Sequence, residues 1–168
     1  MQEHGLKISE LVTLFNLEVL NRGSDYDTAL LTITDVNRPG LQFHSFYDYF
    51  DPRRLQVLGK AEITYLKGLT TEQRRKCFDD LFLYDIPALV ISRGLDCFPE
   101  CLESARVHER TLLRTEETTV EFTSHTIEYL NRVLAPCVTR HGVLLDISGE
   151  GVMITGDSGI GKSESAIE

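Results

Sequence analysis

The sequence predicts an α/β protein: an N-terminal α/β domain with a largely parallel sheet, followed by a β-hairpin and a glycine-rich phosphate loop. Three observations carry this. From Arg54 to about Leu134, apolar strand-like runs alternate with helical ones, the pattern of strands joined by crossover helices. Near residue 135 the texture changes to two apolar runs around a glycine-containing turn. Directly after the second run, Gly156 to Ser163 reads G-x-x-x-x-G-K-S without a mismatch.

The elements follow in order. Ile8, Leu11, Val12, Leu14 and Phe15 recur at helical spacing, which predicts a short amphipathic helix over 7–15. Leu17 to Leu20 and Ala29 to Thr34 read as strands, separated by the turn residues Asn21-Arg22-Gly23-Ser24. Asn37-Arg38-Pro39-Gly40 signals a second turn, and the aromatic run Phe43, Phe46, Tyr47, Tyr49 and Phe50 reads as core packing. A strand at Leu55–Leu58, helices at 61–66 and 71–84, and a strand at Ala88–Ser92 come next. Pro99 opens a helix to about Glu109, Leu112-Leu113 is a short strand, and Thr118 opens the last helix. In that helix Thr123, Ile127, Leu130 and Leu134 share one face and Pro136 ends it, so it is the expected linker between domains. The expected boundaries are 1–134 for the first domain, including the linker helix at about 118–134, and 135–168 for the second. There, Gly142 to Ile147 and Val152 to Thr155 flank Ser148-Gly149-Glu150-Gly151 as a β-hairpin.

Composition narrows the function classes. At 42% apolar residues, the chain of 168 residues can bury a real core. Seventeen Lys and Arg against 26 Asp and Glu give a net charge of −9, and no basic block offsets it, which argues against a nucleic-acid partner. The apolar runs, such as Ala88–Ile91, are far shorter than the roughly 20 residues that cross a bilayer, so no membrane partner is expected. Met1 to Gly5 carries no export signal, and the expected location is the cytoplasm. Cys77, Cys97, Cys101 and Cys137 do not form a secreted disulfide pattern. Cys97 and Cys101 are spaced C-x3-C, but no second close pair completes a zinc set. His4, His44, His108 and His125 have no companions at metal spacing.

The phosphate loop has a physical logic. Gly156, Gly159 and Gly161 let the backbone curl so that successive N–H groups face one concavity, where phosphate oxygens accept hydrogen bonds. Lys162 adds a cation within reach of the β and γ phosphates, and the Ser163 hydroxyl suits a Mg²⁺ that bridges them. Asp157 is an unusual neighbour for an anion and reads as pointing outward, while Ser158 and Ile160 fill the variable positions. The motif implies nucleotide or polyphosphate binding and leaves the reaction open. His141, just before the hairpin, is the titratable group near the loop in sequence. Alone it reads as structural or solvent-exposed.

The segments His141 to Asp146 and Gly151 to Glu164 closely resemble the bacterial HPr kinase/phosphorylase family. The resemblance runs upstream through Asn37 to Leu41, Tyr47 to Phe50, Arg54 to Glu62, Ile91 to Leu95 and Leu134 to Pro136. It implies a serine protein kinase that uses ATP or pyrophosphate, with Mg²⁺, to phosphorylate a serine of HPr, the phosphocarrier of the sugar phosphotransferase system. It also implies the reverse activity, phosphorolysis of phosphoserine-HPr to pyrophosphate, and a role in carbon catabolite control. Homohexamers are implied too, with an N-terminal α/β domain joined to a kinase core like that of phosphoenolpyruvate carboxykinase. Carried over by position, Gly156, Asp157, Ser158, Gly159, Ile160, Gly161, Lys162 and Ser163 form the nucleotide loop. Lys162 is catalytic, Ser163 binds Mg²⁺ and His141 is an active-site position.

The family's catalytic aspartate, second metal-binding acid and HPr-contacting segments are expected beyond Glu168, so little or no kinase activity is expected of these residues alone. The hairpin by itself is expected to expose apolar residues such as Val143, Leu145, Met153 and Ile154, which pack on the rest of a core. Two other readings stand beside this one: a different P-loop ATPase or small-molecule kinase, and a non-catalytic ligand-sensing or assembly module in residues 1 to about 130.

Overall fold

The computed structural model describes residues 5–136, 141–157, 159 and 163. The chain divides into two compact units, residues 1–135 and 136–168.

In the first unit a five-stranded sheet runs in the order β2-β7-β6-β5-β4, built from Glu18–Asn21 (β2), Val36–Asn37 (β4), Leu55–Leu58 (β5), Leu89–Ile91 (β6) and Leu112–Arg114 (β7). Strands β4, β5, β6 and β7 are mutually parallel and β2 is antiparallel to β7, so the largely parallel sheet is present. The central strands β5 and β6 are buried along their whole length because both faces are covered. Leu55, Val57, Val90 and Leu113 point to one face, where helices α1 (Ile8–Leu14) and α5 (Thr119–Val133) pack through Ile8, Leu11, Phe122 and Leu130. Leu58, Leu89, Ile91 and Leu112 point to the other, against α2 (Lys60–Lys67), α3 (Thr71–Phe82) and α4 (Pro99–Val107). The period-2 alternation thus sorts one set of strands into two cores. Gln56, buried in β5, has a partner at each end of its amide: Asn37 Nδ2 donates to its Oε1 at 2.7 Å, and its Nε2 donates to the Arg54 carbonyl at 2.7 Å.

Local chemistry sets the helix starts. Thr118 accepts the Glu121 N–H at 3.3 Å while Glu121 accepts the Thr118 N–H at 3.1 Å, and Thr70 and Gln73 form the same reciprocal pair ahead of α3. Pro99 occupies the first turn of α4, where no N–H is needed. Helices α3 and α4 are tied by Arg74, whose Nε and Nη2 donate to Glu100 Oε1 at 3.1 and 2.9 Å. Its Nη1 reaches the Leu66 and Leu69 carbonyls at 3.2 and 2.8 Å.

Several sequence expectations are corrected. The strand expected over Ala29–Thr34 shrinks to Leu30–Leu31 (β3), paired with the unexpected Leu6–Lys7 (β1) as a separate small ribbon. Val36–Asn37 overlaps the predicted turn as an edge strand and stops before Pro39, which has no N–H to donate. Within the aromatic run only Phe43 is buried; Tyr47 and Phe50 are half-buried, while Phe46 and Tyr49 face solvent. The buried stripe of α5 is Thr119, Phe122, Thr126 and Leu130, one step round from the predicted face, with Thr123 and Ile127 at its margins. The helix expected as a linker therefore forms part of the first unit's core. Among the described residues no helix is long and apolar enough to cross a membrane.

Candidate functional site

In the second unit Gly142–Ile147 (β8) and Glu150–Thr155 (β9) form an antiparallel ribbon. The turn is shorter than the expected Ser148–Gly151. Only Ser148 and Gly149 lie outside the ladder, at φ of 59° and 88°, the two left-handed residues that suit the twist of a tight hairpin. Asp146 Oδ1 closes it by accepting the Gly149 N–H at 2.8 Å. One face of the ribbon carries Val143, Leu145, Val152 and Ile154, the other Leu144 and Met153. Leu144, Ile147, Val152 and Met153 are exposed, whereas Val143, Leu145 and Ile154 are half-buried, so the solvent-facing apolar set differs from the one expected. Strands apolar on both faces suit a layer covered on both sides.

The ladder ends by pairing Gly142 with Thr155. His141 and Gly156 are the residues next to that last pair, His141 just before Gly142 and Gly156 just after Thr155. Gly142 packs tightly on the facing strand: a Cβ there would stand 2.7 Å from the Ile154 carbonyl oxygen and 2.9 Å from Met153 Cε. No motif singled out Gly142; the contact appears only once the register is known. Gly159 adopts φ of 87°, a conformation that favours glycine and turns N–H groups toward one side of a loop. His141, Gly156, Asp157, Gly159 and Ser163 are all solvent-exposed. Ser158, Ile160, Gly161 and Lys162 lie outside the described residues.

The first unit offers a groove of about 410 Å³ lined by Arg38, Leu41, His44, Ala61, Glu62 and Tyr65. Its polar groups largely satisfy one another. Arg38 Nη2 donates to Glu62 at 2.8 Å, Glu62 also accepts the Gly59 N–H at 2.9 Å, and Tyr65 Oη meets His44 Nδ1 at 3.3 Å. Burial works against ionising Glu62, but the Arg38 bond and the backbone N–H groups of Glu62 and Gly59 hold its carboxyl below the ordinary range. His108 lies 3.4 Å from Asp79 and His125 lies 3.1 Å from Glu117. Among the described residues no three His, Cys, Asp or Glu side chains gather as a metal set.

Comparison with known proteins decides the family. The sequence profile described as HPr Serine kinase N terminus matches residues 6–130, and that of the HPr Serine kinase C-terminal domain matches residues 132–168. The chain belongs to the HPr serine kinase family. Within that family it is 45% identical over 163 residues to the HPr kinase/phosphorylase of Alkaliphilus metalliredigens, covering 97% of this chain and 52% of that protein. The HPr kinase/phosphorylase of Clostridium perfringens is 43% identical over 164 residues, 98% of this chain and 53% of its own length. The chain thus spans about half the length of the curated relatives it matches. Among solved structures, the CBS and DRTGG domains of the regulatory region of Clostridium perfringens pyrophosphatase superpose with a TM-score of 0.53 at 15% identity, covering 76% of this chain and 49% of that one. This likeness shows that the HPr serine kinase N-terminal fold also occurs in a protein with a different name.

Proposed function

We propose that this chain supplies the N-terminal domain and the nucleotide loop of a bifunctional HPr kinase/phosphorylase. Such an enzyme transfers a phosphoryl group from ATP or pyrophosphate to a serine of HPr and, in reverse, uses inorganic phosphate to release pyrophosphate from phosphoserine-HPr. The observation that carries the reading is 45% identity, across nearly the whole chain, to proteins named for this activity. In this reading residues 1–134 form a regulatory and assembly domain and 135–168 begin the P-loop kinase domain. The enzyme is a cytoplasmic homohexamer.

The roles follow from the chemistry of the residues. Backbone N–H groups of Gly156 to Ser163 hold the donor's phosphates, and Lys162 neutralises charge that develops on the transferred group. The Ser163 hydroxyl, exposed beyond a loop whose Gly159 already holds the left-handed turn, suits a hard cation. A Mg²⁺ held by that hydroxyl would supply positive charge that offsets the phosphates. His141, which directly precedes the strand paired with the one that leads into the loop, would hold or pass a proton near the phosphates.

The test is a phosphotransfer assay with labelled ATP, Mg²⁺ and purified HPr, run on this chain and on a form extended to the relatives' full length. Label on an HPr serine from the extended form, with little or none from the 168 residues alone, supports the proposal. ATP hydrolysis by the extended form with HPr unlabelled would overturn it in favour of another P-loop enzyme.

A further inference from the structure

A cavity of about 320 Å³ opens in the first unit where the segments that lead into β3, β5 and β6 meet, with Asp25, Thr28, Arg53 and Asp85 on its wall. Its charged groups are unequally satisfied. Asp85 is bound by Arg110, and Arg53 is bound by Asp51 at 2.7 Å. Asp25 has no ion pair among the described residues, and its Oδ1 is buried with no hydrogen-bond partner there. A buried carboxylate oxygen without a donor is costly. Burial accordingly pushes the Asp25 carboxyl above its ordinary range, against the opposing pull of its own N–H and of Arg110, while Asp85 adds to the rise. The backbone of Asp25 is nevertheless fixed. Its carbonyl accepts the Thr28 and Ala29 N–H groups at 2.8 and 2.6 Å and the Thr28 hydroxyl at 3.2 Å. A tight turn thus holds the carboxylate at the cavity wall, and the Thr28 oxygen, a donor in that bond, can still accept one.

We propose that this cavity binds a small organic ammonium ion, with Asp25 as its counterion. Charge selects a cation. With Asp85 and Arg53 each paired, Asp25 carries the charge on the wall that is left uncompensated among the described residues. An anion would meet two carboxylates and a guanidinium already engaged. A divalent metal is a poorer fit, because no three His, Cys, Asp or Glu side chains gather there among the described residues. An ammonium group instead brings three N–H donors, which suit the Asp25 carboxylate and the Thr28 hydroxyl oxygen. Leu30, Ile86 and Pro87 add apolar surface that a short carbon chain can cover. The volume sits near the lower end of the roughly 300–1,000 Å³ typical of small-molecule sites, which limits the ligand to a compact molecule. A simple alkylamine and a free amino acid both carry this group.

The experiment titrates the full 168-residue chain, labelled with nitrogen-15, with butylammonium chloride at neutral pH and fixed ionic strength, and follows the backbone amide signals. The expected result is saturable shifts at Asp25, Thr28, Ala29 and Ile86, with no matching response to n-butanol or sodium butyrate, which keep the carbon chain and lack the cation. Alanine, run in parallel, separates the sources: saturation by alanine as well supports an amino acid as the ligand, and a response to butylammonium alone supports a simple amine. Asp25→Asn keeps the side-chain shape and the backbone turn but removes the charge, and should weaken butylammonium binding about tenfold or more. Because the comparison with n-butanol uses the wild-type chain, a variant that fails to fold leaves the test standing. No response to butylammonium, shifts that never saturate, an equal response to n-butanol, shifts centred away from Asp25, or unchanged affinity in a folded Asp25→Asn chain would each overturn the proposal.

Discussion

Removing the guanidinium of Arg74 tests how the first unit's second core is held. Arg74 and Glu100 are 16% and 6% exposed, so the pair is shielded from solvent screening, and Arg74 also binds two carbonyls at the end of α2. Its guanidinium lies 5.0 Å from the centre of the Phe98 ring. Replacing it with methionine keeps much of the volume but strands the Glu100 carboxylate, and breaking a buried pair from one side costs about 3–5 kcal/mol. In a Glu100→Leu background no carboxylate is stranded. The same change then removes only the two carbonyl bonds and the ring contact, about 1–3 kcal/mol. Urea unfolding at pH 7 followed by tyrosine fluorescence isolates this unit, because all six tyrosines lie between residues 26 and 129 and there is no tryptophan.

The pH dependence has a definite sign. Burial opposes ionisation of Glu100, but the Arg74 bond and a backbone N–H outweigh it and hold the carboxyl below the ordinary glutamate range. Its contribution is therefore complete above the unfolded value of about 4.3 and fades as pH falls through the lower folded value. The gap between Arg74→Met and wild type should narrow over that window. A cost at pH 7 below about 1 kcal/mol, or an equal cost with and without Glu100, would refute the assignment of the pair as a core tie.

Three further outcomes are expected. Gly142→Ala, whose Cβ would press on the Ile154 carbonyl at 2.7 Å, should lower affinity for a fluorescent ATP analogue about tenfold, whereas Gly151→Ala, with open space around it, should leave binding unchanged. Phe122→Ala empties a fully buried site against Phe15, whose ring centre is 5.8 Å away, and should lower unfolding free energy by about 3–5 kcal/mol in the same urea assay. The Arg53 side chain holds the Asp51 carboxyl down at about 2, so its ion pair contributes above the ordinary aspartate range and is lost as pH falls toward 2. Arg53→Ala should raise the Asp51 carboxyl toward the ordinary range in a carboxyl NMR titration, the backbone N–H of residue 53 still holding it somewhat down; an unmoved Asp51 would assign the shift elsewhere.

Which parts were legible depends on whether the signal was local. Helix α5 was legible from Thr118, since capping chemistry operates over four residues. Strands β5 and β6 were visible as apolar runs because both of their faces are buried. The pairs Leu6–Lys7 with Leu30–Leu31 and Val36–Asn37 with Leu55–Gln56 were not, because a two-residue strand is defined by its partner rather than by a period. The α5 stripe was misread by one step because Thr126 is polar in type yet fully buried. At the candidate site, the glycine-rich loop was plain as a motif. The need for a residue without Cβ at Gly142 required the ribbon's register.

The strand order has a consequence for how the first unit assembles. From β4 through β7 each strand docks beside the one made just before it, so the parallel part of the sheet can grow in the direction of synthesis with only short-range closures. Strand β2 is the exception. It is made early, but its only place in the sheet is against β7, the last strand to appear, and its Glu18 meets Arg114 across 96 residues. Helices α1 and α5, packed together on one face, repeat that separation. The beginning of the unit must wait for its end, and once joined, neither end can loosen without releasing the other.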